Sequence, residues 1–418
     1  MLKPALMRGS ARQVIRRARV LAAIGVVATL AGCLASPTVI GTGSAPAPGH
    51  LDGILTHAKS DANIRIFLTH GIGTAAQDDG TGTNGPCALA SVIVRLAYVL
   101  GVQQQPVDQP RGACGALVLP PPRDIVVSGA SRPAELYDFA FTGARTVTFS
   151  FLLWAPITED IKATLGETGH PPWALLTTAA KSFFQSHLSD VVLYGGTYRA
   201  VMRAAVEQAL CLFVGGTPAD DPTICRNAAR ARQTVLITHS LGGYMLMDAI
   251  ADIRAAHASP RADGRPPAPA DTDAAAIALE RTDLIFMLAN QLALLDLTTL
   301  TTFPIPPGEA AGEGGRMLDG FRRHWDRHHQ RVDDRRRQIV AVSDPNDLLS
   351  YLVSSGDVTG TPPHDPTVVA NVYLGVARNW LDLFAWPVSA HVNYLTSRDV
   401  MDIMGCGMTG DAINACPP

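Results

Sequence analysis

Six short runs of β-branched and large apolar residues recur along the chain: IRIFLT (Ile64 to Thr69), TVTFSF (Thr146 to Phe151), TVLIT (Thr234 to Thr238), LIFML (Leu284 to Leu288), IVAVS (Ile339 to Ser343) and VVANVYLGV (Val368 to Val376). Runs of this kind read as buried strands. Between several of them lie stretches with helical spacing, such as Tyr198 to Leu212 and Gly243 to Ile253. Strands alternating with helices predict an α/β fold with a mostly parallel central sheet flanked by helices, because parallel neighbours need a crossover that covers the faces. With 418 residues, 47% of them hydrophobic, the chain can bury a substantial core, as one large domain with insertions or as two domains.

Two regions interrupt the alternation. Residues 74–135 are too long for a plain connection, which usually takes about 4 to 6 residues, so an ordered insertion is expected there. Residues 258–275, ASPRADGRPPAPADTDAA, are rich in Pro, Ala and Asp and open a second insertion running to about 338. No internal repeat is visible.

The amino terminus has a different character. Residues 1–32 carry six basic residues and no acid, and end in a 13-residue apolar run, Val20 to Gly32, too short to span a bilayer as a helix. This reads as an export signal. The run closes in LAGC, Leu30 to Cys33, which resembles the lipobox of bacterial lipoproteins. The resemblance implies lipidation of Cys33, a membrane anchor through that residue and, since position 34 is not Asp, the outer membrane. Residues 33–58, with PTVIGTGSAPAPG inside them, are then expected to be a flexible tether, and 59–418 the folded domain. Without residues 1–32 the chain keeps 28 basic residues against 37 acidic ones, a net charge of −9, which speaks against a nucleic-acid partner.

Besides Cys33 there are six cysteines, an even number that in an exported chain favours disulfides. Fifteen pairings are formally open, and proximity in sequence suggests Cys87 with Cys114, Cys211 with Cys225 and Cys406 with Cys416. No CxxC occurs, which disfavours a zinc ribbon or a redox site.

The stretch TVLITHSLGGYMLMDAI, Thr234 to Ile250, joins an apolar strand to an amphipathic helix through His239 to Gly242. A serine on so tight a turn either caps the helix or projects its hydroxyl above the sheet edge as a nucleophile. THSLGG resembles the nucleophile elbow, GxSxG, of α/β-hydrolase esterases and lipases, with Thr238 standing where the first glycine usually is. In the same order as that superfamily, LTHGIGT (Leu68 to Thr74) resembles its oxyanion loop, DPNDLLSYL (Asp344 to Leu352) its acid loop, and the AHxxY segment at His391 its histidine loop.

The resemblance covers roughly residues 60–405 and implies the α/β-hydrolase fold and a triad of Ser240, Asp347 and His391. Asp344 stands as the alternative acid. His70 and Gly71 would form the oxyanion loop, with the backbone amides of Ile72 and Leu241 holding the oxyanion. A serine hydroxyl needs such a base to become nucleophilic, and the base needs a carboxylate to fix its tautomer. The implied activity is hydrolysis of carboxylic esters, including lipid or acyl esters near a membrane, with no cofactor. An acyltransferase of the same fold and a non-catalytic envelope scaffold are the alternatives. Apolar NQLALLDLTTL, residues 290–300, suits an acyl chain as well as it suits a core. In FRRHWDRHHQRVDDRRR, Phe321 to Arg337, His324 and His328 stand at i and i+4, a spacing that permits metal binding; nearby acids make a solvated helical face the better reading, and no metal is assigned.

Overall fold

The computed structural model describes residues 37–40, 49–58, 63–72, 85–166, 188–229, 232–258, 271–296, 321, 325, 337–353, 367–376 and 387–417. Ten strands form one sheet: β1 (Thr38–Ile40), β2 (Asn63–Thr69), β3 (Val102–Gln104), β4 (Arg123–Ile125), β5 (Ala134–Gly143), β6 (Thr146–Leu153), β7 (Gln233–His239), β8 (Thr282–Leu288), β9 (Gln338–Ser343) and β10 (Val368–Tyr373). Their order is β1-β10-β9-β8-β7-β2-β6-β5-β3, with β4 also on β5. The central block β6-β2-β7-β8-β9-β10 is parallel, and β1, β3, β4 and β5 join antiparallel at the flanks.

The near-continuous apolar character of the central strands has its cause in two covered faces. Ile64, Ile66 and Leu68 of β2, Val235 and Ile237 of β7, and Leu284, Phe286 and Leu288 of β8 pack on one side. There they meet α1 (Ala90–Val99) and α7 (Arg398–Cys406), through Val92, Ile93 and Leu96 and through Val400, Ile403 and Met404. Phe67, Leu236, Ile285 and Met287 point to the other side. That face is covered by α3 (Arg199–Phe213), α4 (Leu241–Ala258) and α5 (Ala274–Glu280). The result is three layers, with helices on both sides of a mostly parallel sheet; α2 (Pro156–Gly166) follows β6, and α6 (Pro387–Val392) carries His391.

The six cysteines pair as their sequence neighbours suggested: Cys87–Cys114, Cys211–Cys225 and Cys406–Cys416, with Cα separations of 5.4, 5.3 and 5.5 Å. Each closes a short loop, of the kind whose closure contributes about 2 to 4 kcal/mol. Cys211 pins the last turns of α3, and Cys406 ends α7.

Two expectations about organisation, the tether at 33–58 and the insertion at 258–338, are corrected. The expected tether, 33–58, contains ordered elements: β1 adds to the sheet edge against β10, His50–Leu51 pairs antiparallel with Met408–Thr409, and Ile54–Ala58 is a helical turn. Composition concealed this because edge pairing uses backbone groups, and the apolar residues buried among the segment's described positions are few, Val39, Leu51, Ile54 and Ala58. Val39 N–H also donates to Asp411 Oδ1 at 2.8 Å. The described part of the first insertion, 85–135, supplies α1, β3 and β4, and the ten-residue β5 that follows extends the sheet beyond β6. Of the second insertion, expected at 258–338, residues 274–288 supply α5 and the central strand β8, so they belong to the sheet and its cover, and most of the rest lies outside the described residues.

Candidate active site

The chain leaves β2 toward β5 and β6 on one side of the sheet and returns to β7 on the other. At such a switch of direction the loops after the two central strands diverge, and a crevice opens at their carboxyl ends. His70 to Ile72 follow β2, and Ser240 follows β7.

Ser240 adopts φ +54°, a left-handed conformation costly for a non-glycine residue. Its neighbours hold it there. Ser240 N–H donates to Leu288 O of β8 at 2.8 Å, and Gly243 N–H donates to Ser240 O at 3.1 Å, closing the turn from strand to helix. The departure at Thr238 is accommodated one position beyond the usual pattern. A Cβ on Gly243 would stand 3.0 Å from Thr238 Oγ1, so the second glycine leaves room for the side chain that replaces the missing first one.

The three expected side chains converge. Ser240 Oγ lies 2.7 Å from His391 Nε2, and His391 Nδ1 lies 3.0 Å from both carboxylate oxygens of Asp347. A carboxylate only accepts, so Nδ1 carries the proton and Nε2 is left with the lone pair that faces the serine hydroxyl. Asp347 also accepts from Leu349 N–H at 3.0 Å and from Tyr394 O–H at 3.2 Å. Ser240 and His391 are each 1% exposed, so these bonds lie in a water-poor surrounding where charge interactions are strengthened.

Asp344, the alternative acid, is occupied elsewhere. Its Oδ1 accepts Asn346 N–H at 2.8 Å and its Oδ2 accepts Val376 N–H at 2.7 Å, which braces the turn after β9 against the turn after β10. Its own N–H donates to the Tyr394 hydroxyl. Tyr394 therefore links the bracing acid to the one beside the histidine. Burial first, and the nearby Asp347 charge second, push its phenol well above the usual range, so it remains a donor.

His70 and His239 shape the site without facing the serine as a base. Trp154 N–H donates to His70 Nε2 at 3.1 Å, so Nδ1 holds the proton and donates to Gly71 O at 2.6 Å. The His70 ring stacks on Trp154, with centroids 4.7 Å apart, and Trp154 Nε1–H donates back to His70 O. His239 donates through Nε2 to His391 O at 3.0 Å. Burial lowers both histidines to about 3, which keeps each ring neutral at ordinary pH.

Gly71 is where the loop after β2 touches the serine. A Cβ there would meet Ser240 Cβ at 2.3 Å and Ser240 Oγ at 2.9 Å, so only glycine lets this backbone pass. Ile72 follows it, buried at 3% exposure. Leu241 opens α4, and a first-turn amide has no acceptor within its own helix.

Sequence reasoning placed His239 in the elbow as a residue that shapes the pocket, but missed the roles of Trp154 and Tyr394, since each acts through a residue distant in the chain; Tyr394 was visible only as the last letter of AHxxY. Cys33 lies outside the described residues, as do His324 and His328. Among the described residues no cluster of metal-ligating side chains occurs, and no helix is long and apolar enough to cross a membrane. No family model matches the chain, and no curated protein or solved structure does.

Proposed function

We propose that this chain is a serine hydrolase of the α/β-hydrolase fold that cleaves carboxylic esters through an acyl-enzyme. The observation that carries the reading is the continuous path Ser240 Oγ to His391 Nε2 at 2.7 Å and His391 Nδ1 to Asp347 at 3.0 Å. Ser240 Oγ attacks the ester carbonyl carbon while His391 Nε2 takes its proton, and Asp347 stabilises the imidazolium that results. The carbonyl oxygen becomes an oxyanion held by the Ile72 and Leu241 amides, the second helped by the positive end of α4. Collapse breaks the bond to the alcohol, which leaves with the proton from His391. Water then repeats the sequence on the acyl-enzyme, releasing the acid and restoring Ser240. No cofactor enters this scheme. From the amino-terminal sequence we propose further that the mature protein is exported and held at a bacterial membrane, at the outer one by the lipobox resemblance, through lipid on Cys33.

Hydrolysis of p-nitrophenyl butyrate by the wild type and by Ser240→Ala tests this. Removing a triad member takes away most of the acceleration, so the variant is expected to lose at least about a thousandfold in kcat. A Ser240→Ala protein that keeps the wild-type rate contradicts the proposal.

A further inference from the structure

Gln291 follows β8 by three residues and is fully buried, at 0% exposure. Among the described residues neither its Oε1 nor its Nε2 has a hydrogen-bond partner. A buried primary amide with both ends unpaired is rare in folded proteins, and asks for an explanation where it occurs. Its place in the fold suggests one. Ser240 N–H bonds to Leu288 O, and Ala289, the next residue, has φ +51°, so β7 and β8 turn aside at the same level.

Asn290 then ties this turn to the acid loop. Its backbone oxygen accepts Tyr351 N–H at 2.9 Å, and its side-chain amide donates to Tyr351 O at 3.2 Å. Gln291 thus stands at the carboxyl edge of the strand between the serine, after β7, and Asp347, after β9. Across the serine, on the β2 side, Thr69 Oγ1 is a second buried polar atom without a partner among the described residues.

The strand order assigns sides to the two halves of an ester. The loop after β2 brings the amide of Ile72, so the oxyanion belongs on that side. The β8–β9 side brings Asp347 and, through it, His391, and the alcohol must leave toward the histidine that protonates it.

We propose that Gln291 is a specificity residue for the leaving alcohol, accepting substrates whose alcohol half carries a second neutral group that both donates and accepts a hydrogen bond, a hydroxyl above all. This rests on the serine-hydrolase reading. A hydroxyl satisfies one donor and one acceptor of the amide together, whereas an alkyl group of the same size leaves both unpaired. Sites built to hold a substrate hydroxyl reject the analogue that lacks it far more strongly than apolar pockets reject an extra methylene. The hydroxyl takes no part in the bonds made and broken, which remain Ser240 Oγ to the carbonyl carbon and that carbon to the alkoxy oxygen.

The probes are 2-hydroxyethyl butyrate and propyl butyrate, which differ by a hydroxyl against a methyl group. Acid release is followed by titration, with Ser240 reactivity toward a fluorophosphonate measured in parallel. The wild type is expected to favour the hydroxyethyl ester by about tenfold or more in kcat/KM. In Gln291→Leu and in the unbranched Gln291→Met this ratio is expected to fall to about one, with the melting temperature unchanged or raised. Because the ratio is taken within each protein, a general loss of activity cancels. A structural glutamine predicts a lower melting temperature and an unchanged ratio.

A wild-type ratio near one, a ratio preserved in both variants, or a reactive Ser240 with no turnover of the hydroxyethyl ester overturns the assignment while leaving the serine-hydrolase reading intact. Absence of both turnover and fluorophosphonate reaction in folded protein removes that underlying reading, and the assignment with it.

Discussion

Two carboxylates lie three positions apart after β9, and exchanging each for its amide separates their roles. In Asp347→Asn the new side chain offers an NH₂ group where His391 Nδ1–H, 3.0 Å from both oxygens, needs an acceptor. If the Asn oxygen turns to the histidine, its NH₂ must take the place of the oxygen that accepts Leu349 N–H or Tyr394 O–H. If the NH₂ faces the histidine, the proton moves to Nε2 and the lone pair facing Ser240 is lost. The tautomer penalty for such an exchange is about 10⁴ in kcat, or about 5.4 kcal/mol.

Asp344→Asn keeps one acceptor oxygen and loses one of two backbone contacts, Asn346 N–H at 2.8 Å or Val376 N–H at 2.7 Å. Leaving a buried donor unpaired costs about 1 to 3 kcal/mol of stability, with kcat changed by less than about tenfold. Single-turnover burst kinetics on p-nitrophenyl butyrate report the acylation step, and urea melts report stability. A fast acylating Asp347→Asn together with an inactive, stably folded Asp344→Asn would refute the reasoning.

Gly71→Ala is expected to abolish acylation, because the added methyl would stand 2.9 Å from Ser240 Oγ; wild-type burst kinetics in this variant would show that the loop after β2 does not sit against the serine. Tyr394→Phe should lower kcat by about tenfold and destabilise the fold by about 1 to 2 kcal/mol, as Asp347 loses a donor and the Asp344 amide an acceptor, measured by steady-state rates and urea melts. Glu207, buried in α3 with Arg203 Nε 3.1 Å away but Arg203 also shared with Asp252, is pushed up to about 8, chiefly by burial. Between about 4.5 and 8 the folded state then holds a proton that the unfolded chain has released, so this group's contribution to stability falls as pH rises through that window. Glu207→Gln should therefore raise the melting temperature relative to the wild type by more at pH 9 than at pH 4.5, and an equal difference at both pH values would contradict it.

Much of the sheet could be read from the chain because a strand covered on both faces must be apolar throughout. β2, β6, β7, β8, β9 and β10 all coincide with such runs, and α3 and α4 with stretches of helical spacing. β5 escaped notice because its buried residues, Leu136, Tyr137, Phe139 and Phe141, are interrupted by half-buried Asp138 and by small residues. Its antiparallel registers with β6, β3 and β4 make it a strand. The segments at 38–40 and 50–51 were missed for the related reason that their partners lie more than three hundred residues away.

At the site, the serine turn was legible since a close strand-to-helix passage needs small neighbours locally. Asp347 and His391 were legible through the order and loop positions that the family resemblance implies, with Asp344 left open as the alternative acid. Which acid meets the histidine depends on two turns bracing each other through Asp344 and Val376, and the pattern around one loop does not contain that information. The unpaired amide of Gln291 is likewise a property of what surrounds it in space.

The central claim is that the Ser240 hydroxyl is activated by His391. Intact-protein and peptide mass spectrometry after diisopropyl fluorophosphate treatment measures this directly. The account predicts one phosphoryl adduct per chain on the peptide containing Ser240, formed quickly in the wild type and absent from folded His391→Ala. A folded wild type that takes no adduct, or one whose Ser240 reacts as fast without the histidine, would contradict it.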